Sequence, residues 1–351
     1  MVKPNILHEV SLENVICTAL PERGWTYVDG ARDEGWDARL GLFPADVLAW
    51  LKGQYPDEYA KAIPEGLPDA SRETAERKLL EFVASQLETR TRRDPRTGRT
   101  VGGLLGTLRE GFKYAQVGAR SASFGPLVAF PPANPLLTLA QERADANILR
   151  VIRQVHFDPQ SHHTLDLVLT VNGIPVVTME LKTDNTQSVA AARRQYREER
   201  TPSPTRRVLL PGRALVHFAV SNTEVWMTTA LKGPDTYFLP FNQGSEGGGG
   251  NPPREGSSPT AYLWEETLER GQFLRILRDF AVWEPDAKPK KGTPGGKLIF
   301  PRYHQLRAVE GVARDVSARG PGGRYLIEHS AGSGKTKTIA WLAHLLSLIH
   351  I

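Results

Sequence analysis

The chain has 351 residues, of which 40% are hydrophobic and 24% charged, and this excludes a protein that is disordered throughout. A single cysteine, Cys17, excludes a disulfide framework, and no apolar run approaches membrane-spanning length, so we expect a cytoplasmic protein without a membrane partner. The net charge of +5 fits a polyanionic partner but is too small to identify one.

Helical periodicity marks the N-terminal part of the chain. It predicts one helix over residues 7–20 and several more between 44 and 88. The prolines expected to divide this second group are Pro56, Pro64 and Pro68. A further helix is predicted from Asn134 to about Ile152, leading into a strand around residues 155–157.

The segment after Lys182 is predicted to contain a helix followed by two strands. Residues 183–200 are predicted to form a helix, with Asp184 or Thr186 near its N-cap. Two strands are expected to follow, over residues 213–220 and 224–229.

Two stretches rich in breaking residues divide the remainder. Residues 242–259 favour either a flexible linker or a folded loop, and 262–283 are predicted to be helical. Residues 284–296 are almost free of apolar side chains, which is typical of a linker. The predicted division is therefore a first domain at 1–283 with a catalytic core at about 134–232, a linker at 284–296 and the start of a second domain at 297–351.

The stretch from Thr164 to Lys182 is predicted to be a buried hairpin. Two apolar runs flank Asn172-Gly173, a dipeptide that adopts positive φ at low cost and is typical of a hairpin turn. Yet Asp166 lies in the first run, and Glu180 ends the second together with Lys182. Charges in such strands are costly unless they meet each other or a metal ion.

The spacing of these charges constrains the hairpin. Because side chains alternate along a strand, Glu180 and Lys182 share one face. A strict two-residue loop would place Asp166 opposite Met179, on the wrong face. We therefore predict a three-residue loop or a β-bulge, which places Asp166 opposite Glu180 with Cβ atoms roughly 5 Å apart. Two carboxylates so close predict a Mg²⁺ site, with Lys182 beside the metal-bound water.

Asp166 followed by Glu180-Leu181-Lys182 resembles the PD-(D/E)xK nuclease motif. The motif is short, and an ordinary strand pair with an incidental salt bridge also fits it. Over a longer stretch the chain resembles the N-terminal region of HsdR, the restriction subunit of type I restriction–modification systems. The resemblance is strongest over residues 148–241 and 300–343.

The resemblance implies an α/β fold with a PD-(D/E)xK restriction-endonuclease-like core, in which helices flank a mixed central sheet. It implies Asp166, Glu180 and the Leu181 carbonyl as metal ligands, with Glu13 on the first helix as a further candidate, and Lys182 as a catalytic residue. A solvated helix charge is an equally good interpretation of Glu13.

Related nucleases carry a Gln-x-x-x-Tyr pattern on the helix after the motif. This chain has Tyr196, but Ala192 stands where the Gln is expected, and Gln195 lies next to the Tyr instead. DNA positioning by this helix therefore does not follow from the pattern alone. The candidate positioning residues are Arg193, Gln195, Tyr196 and Arg197.

A second motif lies near residue 335. An apolar strand at Tyr325–Ile327, a glycine-rich loop and an apolar helix over Ile339–Leu348 are predicted, in the order of a P-loop at the incomplete start of a RecA-like domain. Upstream, Gln305 resembles the adenine-contacting Gln of superfamily-two helicases. The candidate ATP-binding residues are Gln305, Gly332, Ser333, Gly334, Lys335 and Thr336.

Taken together, the sequence predicts the endonuclease and part of the motor of a type I restriction enzyme. The resemblance implies Mg²⁺ and ATP as cofactors, double-stranded DNA as substrate, and modification and specificity subunits as partners, with S-adenosylmethionine bound only by those partners. Two alternatives stay open. One is a RecB-like repair nuclease–helicase, and the other is a truncated subunit that docks to partners or DNA without catalysis.

Overall fold

A computed structural model describes residues 9–32, 35–115, 121–132, 134, 136–183, 188–245, 248–288 and 295–349. The helices within these ranges are α1 (Glu9–Ala19), α2 (Pro44–Gln54), α3 (Pro56–Ala62), α4 (Asp69–Leu87), α5 (Gly103–Glu110), α6 (Thr138–Asp145), α7 (Val189–Glu198), α8 (Arg270–Arg275), α9 (Tyr303–Arg319) and α10 (Lys335–Ile349). Short 3₁₀ turns lie at Pro21–Arg23 and Arg207–Leu209, and π-helical turns at Leu263–Thr267 and Ile276–Phe280.

The strands are β1 (Thr26–Asp29), β2 (Arg92–Arg93), β3 (Thr100–Val101), β4 (Phe112–Tyr114), β5 (Ala122–Phe124), β6 (Leu149–His156), β7 (Thr164–Val171), β8 (Ile174–Leu181), β9 (Val216–Val220), β10 (Val225–Thr228), β11 (Leu239–Pro240), β12 (Val282–Pro285) and β13 (Gly296–Ile299). Seven of them form one sheet in the order β1-β6-β7-β8-β9-β10-β11. The β1–β6 and β8–β9 pairs are parallel and the other pairs antiparallel. The predicted α/β fold with a mixed central sheet is confirmed, and it fits a PD-(D/E)xK-like core.

The predicted hairpin forms the centre of this sheet. Every residue of β8 is buried, as expected for a strand with neighbours on both edges and cover on both faces. At the turn, Asn172 has a φ of 49° and Gly173 a φ of 80°. The Asn172 amide also donates to the Leu127 carbonyl (2.8 Å) and to Oδ1 of Asn147 (2.9 Å), so the turn is bonded to the surrounding loops.

The predicted helix from Asn134 to Ile152 is wrong in its second half. Helix α6 covers only Thr138–Asp145, and β6 begins at Leu149. Asn147 separates the two, and its side-chain amide donates to the carbonyls of Ala129 and Ala144. The apolar residues that follow pair with β1 on one side and β7 on the other, and these sheet contacts outweigh the local helical pattern.

The other predicted helices are present with modified ends. Helices α1 to α4 occupy the predicted regions, and breaks fall at or near the prolines named above. Helix α7 starts at Val189 with Ser188 at its N-cap, whereas the predicted caps Asp184 and Thr186 lie outside the described residues. The helical segment that begins near Tyr262 ends at Phe280, because Trp283 belongs to β12.

The residues around the predicted linker pair with each other. Strands β12 and β13 are antiparallel, and Glu284 lies opposite Lys297. Beyond β13, the Phe300 ring lies 6.0 Å from that of Phe218 in β9, and the Tyr303 ring lies 4.8 Å from that of Tyr262. The core of the sheet therefore continues into the second predicted segment.

The glycine-rich stretch after residue 242 is a folded loop in its described part. The Asn251 side chain donates to the Thr223 carbonyl (2.7 Å) and accepts from the Gln243 amide (2.8 Å). These bonds favour the interpretation of residues 242–259 as a folded loop.

The predicted strand at Tyr325–Ile327 is wrong, whereas the helix after it is present as α10. Leu326 is 93% exposed, and within the described part of the chain no strand lies beside these residues. A single strand without a partner leaves its backbone groups unpaired and does not form. Among the described residues, no helix combines the length and apolarity needed to span a membrane.

Candidate active site

A β-bulge brings the two predicted carboxylates together. The turn of the hairpin has two residues, with Val171 opposite Ile174, but the register shifts between Leu169 and Thr170. Beyond this bulge, Leu167 lies opposite Met179, and the next step of the same register sets Asp166 opposite Glu180. The prediction of a bulge or longer loop is confirmed.

Asp166 is held at the end of its strand by the neighbouring backbone. Its Oδ2 atom accepts a hydrogen bond of 2.6 Å from the Leu181 amide. Lys182 follows, with 8% of its surface exposed, and its amide donates to the Val220 carbonyl at 2.9 Å. The structure therefore brings Asp166, Glu180 and Lys182 to one end of the β7–β8 pair.

Glu180 is the most deeply buried of the three. It has no exposed surface, and its Oε1 atom accepts a bond of 2.7 Å from Nε of Arg200. Its Oε2 atom has no hydrogen-bond partner in the described part of the chain. Burial, and then the charge of Asp166, raises the pKa of Glu180 well above its ordinary value, while Arg200 acts in the opposite direction.

The donors at this end of the hairpin fit a magnesium ion. Mg²⁺ commonly takes one or two carboxylates and keeps several water ligands. Asp166 and Glu180 supply two carboxylates, and the unpartnered Oε2 of Glu180 is a buried acceptor that a cation would satisfy. Within the described ranges, no group of three or more His, Cys, Asp and Glu side chains is placed to hold a metal ion.

Glu13 is not part of such a group. Its Oε2 atom lies 2.7 Å from Nη2 of Arg153, and its Oε1 atom accepts from the Gln154 amide at 2.7 Å. Gln154 has a positive φ of 51° and accepts a bond of 2.7 Å from the Thr164 hydroxyl. Glu13 is therefore linked to the start of β7 through Gln154, while its carboxylate is paired with Arg153.

Helix α7 places its candidate DNA-positioning residues in different environments. Tyr196 is fully buried, and its hydroxyl lies 2.8 Å from that of Thr178, so it presents no surface to DNA. The Arg193 guanidinium lies 4.1 Å from the centre of the Trp226 ring, and Nε of Arg197 donates to the Thr236 carbonyl. Gln195 is half-buried, and its Oε1 atom lacks a partner among the described residues.

Sequence reasoning missed Arg200 as part of the site. Its side chain is 5% exposed and bonded to Glu180. Arg200 lies two residues beyond the end of α7, so helical spacing from Tyr196 does not locate it. His217 was missed as well. It is buried with Nδ1 2.7 Å from the Thr178 hydroxyl, and no local pattern marks it.

Hydrogen bonds within the chain hold the glycine-rich loop near residue 335. Gly332 and Gly334 have φ of 74° and 85°, and Nζ of Lys335 lies 3.0 Å from the His329 carbonyl. The Gln305 amide donates to the carbonyls of Ser333 and Gly334, each at 3.1 Å. Thr336 lies in the first turn of α10. The candidate ATP-binding residues are thus brought together, with the Gln305 side chain engaged by the loop itself.

Part of the chain is similar to a known protein family. Residues 137–236 match the family model of the type I restriction enzyme R protein N terminus. No curated protein matches the chain. The matched residues include β7, β8 and α7, and also Asp166, Glu180, Lys182 and Arg200. Residues 137–236 are therefore similar to the N-terminal part of type I restriction enzyme R proteins.

Proposed function

We propose that this domain is a Mg²⁺-dependent endonuclease that hydrolyses phosphodiester bonds of double-stranded DNA. One observation supports this most strongly. The bulge in the β7–β8 hairpin sets Asp166 opposite Glu180, with Lys182 at the same end of the strands. The residues at this end match the motif that resembles PD-(D/E)xK.

The residues have distinct roles in this proposal. Asp166, Glu180 and the Leu181 carbonyl hold the cation, which when bound acidifies a water molecule and stabilises charge on the phosphate. The Leu181 amide fixes Asp166 through its bond of 2.6 Å. Lys182, as a cation beside the carboxylates, orients the attacking water and neutralises charge on the scissile phosphate.

DNA contact is proposed to involve mainly the phosphate backbone. Arg193 and Arg197 lie on α7, the helix that covers β8, and both are half-buried rather than enclosed. Guanidinium groups in this setting bind phosphates without reading sequence, so binding should weaken steeply with salt. Cleavage at sites not fixed by sequence agrees with such contacts.

We further propose that residues 300–349 take part in ATP binding within a complete motor. A cavity of about 330 Å³ adjoins the loop and is lined by Phe300, Gln305, Gly334 and Lys337, among others. The proposed partners are the modification and specificity subunits of a type I system, which supply sequence recognition and bind S-adenosylmethionine. Translocation driven by ATP would deliver DNA to the nuclease site.

Nicking of a supercoiled plasmid tests the nuclease proposal. The wild-type protein should nick DNA with Mg²⁺ and without ATP, and Lys182→Ala should be at least about 100-fold slower. Lys113→Ala, at an exposed position of β4, is the matched control and should cut at the wild-type rate. Equal rates for the two variants, or no cutting by the wild type with either Mg²⁺ or Mn²⁺, would contradict the proposal.

A further inference from the structure

Two buried contacts join α7 and the residues after it to β8. The Tyr196 hydroxyl on α7 lies 2.8 Å from that of Thr178, and Nε of Arg200, two residues beyond the end of α7, lies 2.7 Å from Oε1 of Glu180. Thr178 and Glu180 are two residues apart on a strand, or about 6.6 Å. The end of α7 and Arg200 are therefore held in one position along the strand that carries Glu180.

Arg200 is itself held by several partners. Its Nη2 atom donates to the Thr164 carbonyl at 2.9 Å, and its Nη1 atom lies 3.3 Å from Oε2 of Glu199. Its guanidinium carbon lies 5.1 Å from the centre of the Phe157 ring. A side chain bonded at three atoms and packed on a ring has little freedom to move away from Glu180.

The Thr164 contact places Arg200 across both strands of the site. Thr164 lies two residues before Asp166 on β7, and Arg200 bonds its backbone carbonyl. One guanidinium therefore bonds β7 beside Asp166 and β8 at Glu180. A planar fork can do this at fixed geometry, whereas an ammonium group acts as a single point.

We propose that Arg200 is a positioning residue that fixes the orientation of the Glu180 carboxylate toward a divalent cation. The terminal torsion of a glutamate is broad and roughly two-fold, so both oxygens of an unheld carboxylate exchange places. Arg200 occupies Oε1 and leaves Oε2, which is buried and without a partner among the described residues. This inference rests on the proposed nuclease function, and it assigns a role to a residue outside the motif.

Cation binding by a charge-conserving variant tests the inference. Arg200→Lys keeps the charge but loses the fork, and Arg194→Lys makes the same change at an exposed position of α7. Calorimetric titration with Mn²⁺ should give a Kd raised about 10- to 100-fold in Arg200→Lys and unchanged in Arg194→Lys. Thermal unfolding without metal establishes that each variant is folded, since a merely structural role would lower Tm without changing the Kd of the folded protein.

The outcomes separate this inference from the proposed function. Wild-type protein that binds no Mn²⁺ overturns both. Equal Mn²⁺ binding by wild type and Arg200→Lys would overturn only the role of Arg200. Tighter binding by the variant would overturn it too, because Arg200 would then compete with the cation.

A crystal structure of the wild type with Mn²⁺ gives an independent test if Arg200→Lys does not fold. We expect Oε2 of Glu180 on the metal and Oε1 still bonded to Arg200. Loss of the Arg200 bond in that structure would refute the inference.

Discussion

The hydroxyl of Thr178 in β8 lies 2.7 Å from Nδ1 of His217, its register partner in β9. The same hydroxyl contacts Tyr196, so one threonine joins two buried side chains. Nε2 of His217 has no partner in the described ranges, and burial lowers the pKa of His217 from 6.5 to about 3. The fold thus holds this imidazole neutral.

This neutral imidazole predicts a loss of stability in acid. Between pH 6.5 and 3 the unfolded chain binds a proton at His217 that the folded chain does not, so the free energy of unfolding falls as pH falls. The contribution of this residue is about 1.4 kcal/mol per pH unit well below pH 6.5. Urea unfolding at pH 5.5 and 4.5 checks this. Between these two pH values, the free energy of unfolding should fall by about 1.4 kcal/mol less in His217→Gln than in wild type. Equal losses would show that His217 is not buried and neutral.

Removing the charge of Glu180 should abolish cation binding. In Glu180→Gln the buried side chain keeps its size but loses the carboxylate that faces Arg200 and the proposed cation. We expect nicking to fall at least about 100-fold and calorimetric Mn²⁺ binding to disappear. Glu198→Gln, exposed on α7, should retain both activities. Retained Mn²⁺ binding by Glu180→Gln would show that the cation is held elsewhere.

Gly173 should be the least replaceable residue of the central turn. A Cβ atom there would lie 2.3 Å from the Phe43 carbonyl oxygen, in addition to the strain of a positive φ. We expect Gly173→Ala to lower the free energy of unfolding by about 2–4 kcal/mol. Gly212 has nearly the same φ, 81°, with no atom within 4 Å, so Gly212→Ala isolates the backbone strain and should cost about 1 kcal/mol. Equal costs in denaturant titrations would exclude the contact with Phe43 as a cause.

Arg213 is predicted to be a structural arginine. It has no exposed surface and donates to the carbonyls of Ala84, Leu40 and Gly41, which joins α4 to the loop before α2. Arg213→Met fills much of the same space but leaves these carbonyls unpaired, so we expect a loss of about 3–5 kcal/mol. Arg72→Met, at an exposed position of α4, should change stability by less than about 0.5 kcal/mol. Similar stabilities in urea would refute this role.

The sequence was sufficient for those parts of the site that follow from strand geometry. Because side chains alternate along a strand, Glu180 and Lys182 share one face. Asp166 faces the same way only if the hairpin contains a bulge, and the structure has that bulge. Arg200 was beyond such reasoning, because its role depends on where α7 lies along β8. That position is set by the packing of the Tyr196 ring, a tertiary contact with no local signature.

The two failed element predictions have related causes. Residues 146–152 have a helical pattern, but the strands on either side of β6 determine their conformation. Residues 325–327 have the composition of a strand, but no neighbouring strand is available to them in the described part of the chain. In both cases the partner, rather than the segment, decides the structure.

The aromatic cluster around Phe300 has a practical consequence. Phe300 lies 6.0 Å from Phe218 and 6.3 Å from Phe241, and Tyr303 covers Tyr262. A protein shortened to residues 1–283 would lack Phe300 and Tyr303, would expose Phe218, Phe241 and Tyr262 to water, and would be prone to aggregate. A soluble form of this first domain should therefore extend through α9, even though the sequence alone suggests an earlier end.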